Sequence, residues 1–176
     1  MLVNLMLIQK FINSKVNRDY VFITGTIEIN IPYFIDKINR GCSEKTNKNY
    51  QTHIKGGMTD WDYFNNDPEL GPPLMKILDC IDKHIDPPAY ELHECWGFIE
   101  KFGDRSTFHG HPHFLSGVIY LSKGQDLEFP EIKQTIKADE GVFGIFSSFL
   151  KHGCYRNHTS IPKYGLSFNL RDTSGY

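Results

Sequence analysis

The chain has 176 residues and a mass of 20.3 kDa, which fits one domain with a hydrophobic core of its own. Its composition, 40% hydrophobic and 23% charged, excludes a wholly disordered chain, and a net charge of −2 gives no general attraction to nucleic acid. The apolar opening MLVNLMLIQKFI is shorter than the roughly 20 residues that span a membrane, and the four cysteines have no paired spacing. These features predict one cytoplasmic domain over 1–176, with reduced thiols and no nucleic-acid or membrane partner.

The N-terminal part, residues 1–88, has a pattern of two strands, a helix, a loop and a second helix. MLVNLMLIQKFI and YVFITGTIEI are rich in β-branched and aromatic residues, with a polar turn between them. IPYFIDKIN predicts a short helix that begins near Pro32 and closes before Gly41. The polar segment 42–66 predicts a loop that would serve as a lid. GPPLMKILDCIDKHIDPP has apolar residues at three- and four-residue spacing between prolines, which predicts the second helix.

From residue 89 the pattern changes to short strands. Runs of β-branched and aromatic residues recur at intervals of about 8–12 residues, separated by Gly, Pro, Asp or Asn. This spacing is typical of antiparallel sandwiches and barrels. We therefore predict a β-barrel core over 89–171 and an α+β chain whose N-terminal helices flank that barrel.

Histidines in this β half indicate a metal site. His109, His111 and His113 lie in the run HGHPH, and His152 follows about forty residues later. Residues i and i+2 of a strand point to one side, so His109 and His111 can converge on one ion that a distant His152 would complete. His113 is the rival of His111, although Pro112 should turn the chain away first. The other histidines are predicted to be structural or solvent-exposed: His53, His84, His93 and His158.

Four blocks of the β half carry a resemblance to a known family: KFGDRSTFHGH, HPHFLSGVIYLS, EGVFGIFSSFLKHGCYRN and KYGLSFNL. In order and spacing, over roughly residues 96–171, they resemble the Fe(II)- and 2-oxoglutarate-dependent oxygenases, in a bacterial and phage branch distantly similar to prolyl 4-hydroxylases. The resemblance implies a double-stranded β-helix, a jelly roll or cupin-like barrel with flanking helices. It also implies Fe(II) held by His109, position 111 and His152, and 2-oxoglutarate converted by O2 to succinate as a substrate is hydroxylated.

The chain departs from the family pattern at one metal-ligand position. The family usually has Asp or Glu two residues after the first histidine, where this chain has His111. Direct ligation by His111 is the simplest interpretation because imidazole is a good ligand for iron. The alternatives are a water molecule or a carboxylate from elsewhere, such as Asp104 or Glu128.

A second departure concerns the cosubstrate. The resemblance implies that the distal carboxylate of 2-oxoglutarate lies near Lys163, where the family usually has Arg and this chain offers a single point charge. Tyr120 and Ser167 are expected to donate hydrogen bonds to that end, because both lie on strands predicted to line the cavity. Arg156 and Arg171 are the next candidates for the anchor.

Three functions fit these observations. The first is an Fe(II)- and 2-oxoglutarate-dependent dioxygenase whose substrate, by analogy of fold alone, is a protein side chain such as proline. The second is a three-histidine metallo-cupin, either a dioxygenase without 2-oxoglutarate or an isomerase. GDRSTFHGH fits the start of the cupin pattern, but Leu115 and Ser116 stand where that pattern has Glu. The third is a non-enzymatic β-sandwich used for binding or structure, whose last strand has a polar solvent face.

Overall fold

The structure is a computed structural model that describes residues 18–44, 53–85 and 89–174. The expected first strand, MLVNLMLIQKFI, lies outside these residues. Two antiparallel sheets and two helices make up the described fold. Neither of those helices is long and apolar enough to cross a membrane.

The two sheets have six and five strands. In spatial order, the larger sheet contains β1 (Phe22–Thr26), β9 (Val142–Ser147), β6 (Leu115–Tyr120), β11 (Lys163–Asp172), β4 (Tyr90–Glu100) and β3 (Gly57–Met58). The smaller sheet contains β2 (Ile54–Lys55), β5 (Arg105–His109), β10 (His152–Cys154), β7 (Leu127–Phe129) and β8 (Gln134–Ile136). Apart from the hairpin of β7 and β8, the paired strands are distant in sequence, which is the topology of a double-stranded β-helix and confirms the expected fold. Over the described ranges the strands form two separate sheets instead of one closed barrel.

Alternation along the strands of the larger sheet separates two hydrophobic clusters. On β4, Cys95 and Ile99 pack with the helices, whereas Phe98 belongs to the cluster between the sheets. On β6, Ile119 likewise faces the helices and Tyr120 the other sheet. Successive side chains of a strand point to opposite faces, so the same strands bury a helical layer on one side and line a cavity on the other.

The helices follow the sequence pattern with one correction. Helix α2 (Gly71–His84) begins with its prolines in the first turn, as predicted. Helix α1 (Ile31–Glu44) does not close before Gly41 but continues through it. A Cβ at that glycine would lie 2.7 Å from the Tyr63 ring, so glycine here permits close packing and does not end the helix. The segment 42–66, expected as a loop, also contains the short strands β2 and β3.

Candidate metal centre

Three imidazoles converge between the two sheets. His109 is the last residue of β5 and His152 the first of β10, and these two residues are directly paired across the strands. His111 lies two residues beyond the end of β5, in a loop and not on the strand that the sequence predicts. The potential ligand atoms of the three all lie within 4.8 Å of one another. The ring centroids are 4.6 to 5.2 Å apart, so a single ion can contact all three.

Backbone carbonyls fix the tautomers of two of these rings. Nδ1 of His109 is 2.6 Å from the carbonyl oxygen of Thr107, and Nδ1 of His152 is 2.8 Å from that of Leu150. A carbonyl oxygen only accepts, so each Nδ1 carries the proton and donates it. Each Nε2 then has a free lone pair. Metal-ligating histidines usually have their second nitrogen held in this way.

Burial keeps the three rings neutral. Burial, with a smaller contribution from neighbouring imidazoles that include His53, lowers the pKa of His109 to about 4 and the pKa values of His111 and His152 to about 3. At neutral pH the imidazoles therefore have no proton to lose before they bind a cation. The ring of His53 also stacks on His109, with centroids 4.1 Å apart, although the sequence analysis left His53 outside the site.

The imidazoles border a cavity with apolar walls and a polar far end. Its walls include Phe98, Val118, Leu127 and Phe146. The three residues expected to hold 2-oxoglutarate also line it: Tyr120, Lys163 and Ser167. Tyr120 is fully buried, and the Lys163 ammonium lies 5.6 Å from the centroid of its ring. The fold therefore brings these three residues and the three imidazoles to one cavity.

A buried ion pair at the far end was not expected from the sequence. The Lys163 ammonium lies 2.5 Å from a carboxylate oxygen of Glu100, and both side chains are only 2% exposed. It also donates to the carbonyl oxygen of Gln125 at 3.0 Å. The Cys154 thiol donates to both carboxylate oxygens of Glu100, at 3.2 and 3.3 Å. The only sequence signal was an acidic residue that directly follows the uncharged run WGFI.

The other candidates from the sequence lie apart from this arrangement. The carboxylate of Asp104 accepts a hydrogen bond from the backbone N–H of Lys101, at 2.8 Å. Neither it nor Glu128 is among the residues that converge with the three histidines, a set that contains no carboxylate from the described ranges. Arg156 and Arg171 are exposed and do not line the cavity.

These residues fit a divalent transition-metal ion and a dicarboxylate. Imidazole nitrogens with fixed tautomers are suitable donors for iron, and their position beside a cavity leaves coordination positions for a second ligand. Beside the cavity, the buried Lys163 ammonium already pairs with one carboxylate, that of Glu100.

No protein-family model and no curated protein sequence matches this chain. Solved structures do match. The viral collagen prolyl hydroxylase of Paramecium bursaria Chlorella virus-1, solved as a 2-oxoglutarate complex, has a TM-score of 0.68 and 17% identity over 89% of this chain and 98% of its own. A prolyl-4-hydroxylase of Pseudomonas putida has a TM-score of 0.62 and 13% identity over 86% and 92%. HygX from Streptomyces hygroscopicus, with nickel and 2-oxoglutarate bound, has a TM-score of 0.64 and 12% identity over 86% and 83%. The chain therefore has the fold of the Fe(II)- and 2-oxoglutarate-dependent oxygenases.

Proposed function

We propose that the protein is a 2-oxoglutarate-dependent oxygenase whose iron is held by His109, His111 and His152. The observation that carries this proposal is one cavity with three neutral imidazoles at one side and a buried lysine at its far end. When bound, Fe(II), 2-oxoglutarate and O2 supply the oxidation: a substrate C–H becomes C–OH, and 2-oxoglutarate becomes succinate and CO2. The protein binds, orients and shields these groups.

The metal ligands are held in position before any ion binds. The carbonyl oxygens of Thr107 and Leu150 accept hydrogen bonds from Nδ1 of His109 and His152, which keeps both Nε2 atoms directed away from the backbone. The backbone N–H of His111 donates to the carbonyl oxygen of Ser148, at 2.8 Å, and this bond ties the loop to the end of the larger sheet. Preorganisation of this kind lowers the conformational cost of binding.

Lys163 is the proposed anchor of the cosubstrate, with Tyr120 and Ser167 as hydrogen-bond donors beside it. A carboxylate in this position gains a charge-assisted hydrogen bond in surroundings with little water. In the ligand-free protein the Lys163 ammonium is already paired with Glu100. When the ligand binds, Glu100 must therefore share Lys163 with it or move aside. The apolar walls exclude water from the space between the lysine and the imidazoles.

The proposed substrate is a peptide or protein side chain such as proline. Two of the similar structures are prolyl hydroxylases, which supports this class. HygX has also been solved with hygromycin B bound. Peptides with proline and hygromycin B are therefore the first two candidate substrates to screen.

A second candidate function follows from the Lys163–Glu100 pair. Because Glu100 already satisfies the buried ammonium, the described residues that line the cavity include no unpaired cation that demands a dicarboxylate. A three-histidine dioxygenase that uses no 2-oxoglutarate is consistent with that feature.

Succinate formation separates the two functions. The metal-free protein is loaded anaerobically with Fe(II), mixed with 2-oxoglutarate, exposed to O2, and assayed for succinate by mass spectrometry. We expect succinate from the parent protein and none above background from His152→Ala. A parent protein that retains one iron, binds no 2-oxoglutarate by calorimetry and forms no succinate would reject the first function in favour of the second.

A further inference from the structure

We propose that His93, Glu94 and His113 form a second site, for a divalent first-row transition-metal ion, beside the three-histidine centre. Their potential ligand atoms all lie within 4.8 Å of one another. Nε2 of His113 is 3.6 Å from one carboxylate oxygen of Glu94, and Nε2 of His93 is 4.0 Å from the other. Both imidazoles thus direct a nitrogen towards the same carboxylate.

A β-bulge brings two adjacent residues to the same place. In β4, Leu92 pairs with Leu170 of β11 and Glu94 pairs with Asn169, which leaves His93 as an extra residue without a partner in the register. Neighbours on a regular strand point to opposite faces, whereas a bulge re-aims a side chain. The Asn65 side chain donates to the carbonyl oxygen of His93 at 3.0 Å and so supports the backbone there.

The carboxylate of Glu94 is held by buried polar neighbours. The Asn169 amide donates to it at 2.8 Å. The amide oxygen of Asn169 in turn accepts from the hydroxyl of Ser116 at 2.7 Å, and that hydroxyl lies 2.8 Å from the hydroxyl of Ser148. Hydrogen-bonded neighbours of this kind orient the carboxylate ligands of metal sites. An ion pair between Glu94 and His113 alone would leave the position of His93 unexplained.

The donor set and its exposure suit an ion that enters from solvent. Two imidazoles and one carboxylate are the protein ligands typical of non-haem iron sites and of many zinc sites. The side chains of His93, Glu94 and His113 are 36%, 25% and 16% exposed, so an ion would keep access to water. The three-histidine centre lacks a carboxylate, and the second site has one.

The two sites are adjacent but do not share a ligand. The rings of His111 and His113 have centroids 6.4 Å apart. Asn169, which holds Glu94, also lines the main cavity. The second ion would therefore lie beside the main cavity. The inference does not depend on the use of 2-oxoglutarate.

Metal stoichiometry tests the second site. The untagged, metal-free full chain is titrated anaerobically with Co²⁺ by calorimetry, and the cobalt retained after desalting is measured per chain. We expect two equivalents for the parent, and one each for Glu94→Gln, His113→Ala and His152→Ala. The double variant Glu94→Gln with His152→Ala should retain none.

Matched controls make the result specific. His158→Ala removes an exposed histidine of a loop and should leave two equivalents. Glu94→Gln keeps an oxygen that accepts from Asn169, so a loss of cobalt reports the lost anionic ligand and not a lost fold. The affinity of the second equivalent should fall at least tenfold in this variant, the lower bound for loss of a supporting group. A single equivalent that His152→Ala abolishes and Glu94→Gln preserves, or a second equivalent that survives both Glu94→Gln and His113→Ala, overturns the proposal.

Discussion

Replacement of Glu100 by Gln should strengthen the binding of 2-oxoglutarate. In the ligand-free protein the Glu100 carboxylate pairs with the Lys163 ammonium. Nζ of Lys163 lies 2.5 Å from a carboxylate oxygen of Glu100, and both side chains have almost no contact with solvent. Glu100→Gln keeps the shape of the side chain but removes the charge that competes with the ligand. A charge-assisted hydrogen bond contributes a net ~1.5–3 kcal/mol. Without competition from the Glu100 carboxylate, the dissociation constant of 2-oxoglutarate should therefore be roughly tenfold to 150-fold lower.

The same substitution should destabilise the ligand-free protein. A buried ammonium that has lost its anionic partner keeps only neutral acceptors, among them the carbonyl oxygen of Gln125. We expect a loss of about 3–5 kcal/mol in the free energy of unfolding, the usual cost of leaving one charge of a buried ion pair without its partner. Saturating 2-oxoglutarate should recover this loss, because its distal carboxylate supplies the missing charge. Lys163→Ala should do the opposite and weaken 2-oxoglutarate binding by about one to two orders of magnitude.

Anaerobic calorimetry on the Co²⁺-loaded protein measures these constants. Pyruvate is the matched control ligand, since it has the oxo-acid group but no distal carboxylate. Glu100→Gln should tighten 2-oxoglutarate and leave pyruvate unchanged. A weaker 2-oxoglutarate complex in Glu100→Gln, or an equal change for both ligands, would refute the view that Glu100 competes for the anchor.

Further predictions concern the metal, the core and a partly buried ion pair. His111→Asp should bind one ion at the three-histidine centre, whereas His111→Ala should bind it at least tenfold more weakly in the Co²⁺ titration. Equal affinities of the two variants for Co²⁺ would show that His111 is not a metal ligand. Gly97→Ala should cost about 1–3 kcal/mol in urea unfolding, because its new methyl group would overlap the side chain of Ile38 on α1. The hydrogen bond to Asp67 raises the pKa of Lys37 above its ordinary 10.5. The contribution of this ion pair to the free energy of unfolding is therefore complete below pH 10.5 and is lost as the pH rises through the raised pKa of Lys37. Urea unfolding of the parent and Asp67→Asn should accordingly differ at pH 8 and converge at higher pH.

The fold could be predicted from local patterns. Short β-rich runs after residue 89 and the amphipathic spacing of α2 depend on near neighbours in the chain, and the structure has both. The end of α1 could not be predicted in this way. Gly41 looks like a stop signal, but its lack of a side chain is used to admit the Tyr63 ring, a contact between residues distant in sequence.

The candidate site was predictable only where spacing reflects geometry. The two histidines of HGH and the later His152 predicted three converging imidazoles. His111 nevertheless reaches the cluster from a loop and not from a strand. The partner of Lys163 was not predictable, because Glu100 lies opposite it only through the register of β4 and β11. The position of His93 beside Glu94 and His113 was also not predictable, since a bulge changes the direction of a side chain without a distinct sequence signal.

A crystal structure of the Co²⁺-loaded protein would show directly whether His109, His111 and His152 bind one metal ion. Anomalous scattering at the cobalt edge locates each ion independently of the protein coordinates. We predict a peak within about 2.0–2.2 Å of Nε2 of His109, His111 and His152, the usual distance for a metal–imidazole bond. The absence of a peak bonded to these three nitrogens, in crystals that contain cobalt elsewhere on the chain, would contradict the assignment of a three-histidine metal centre.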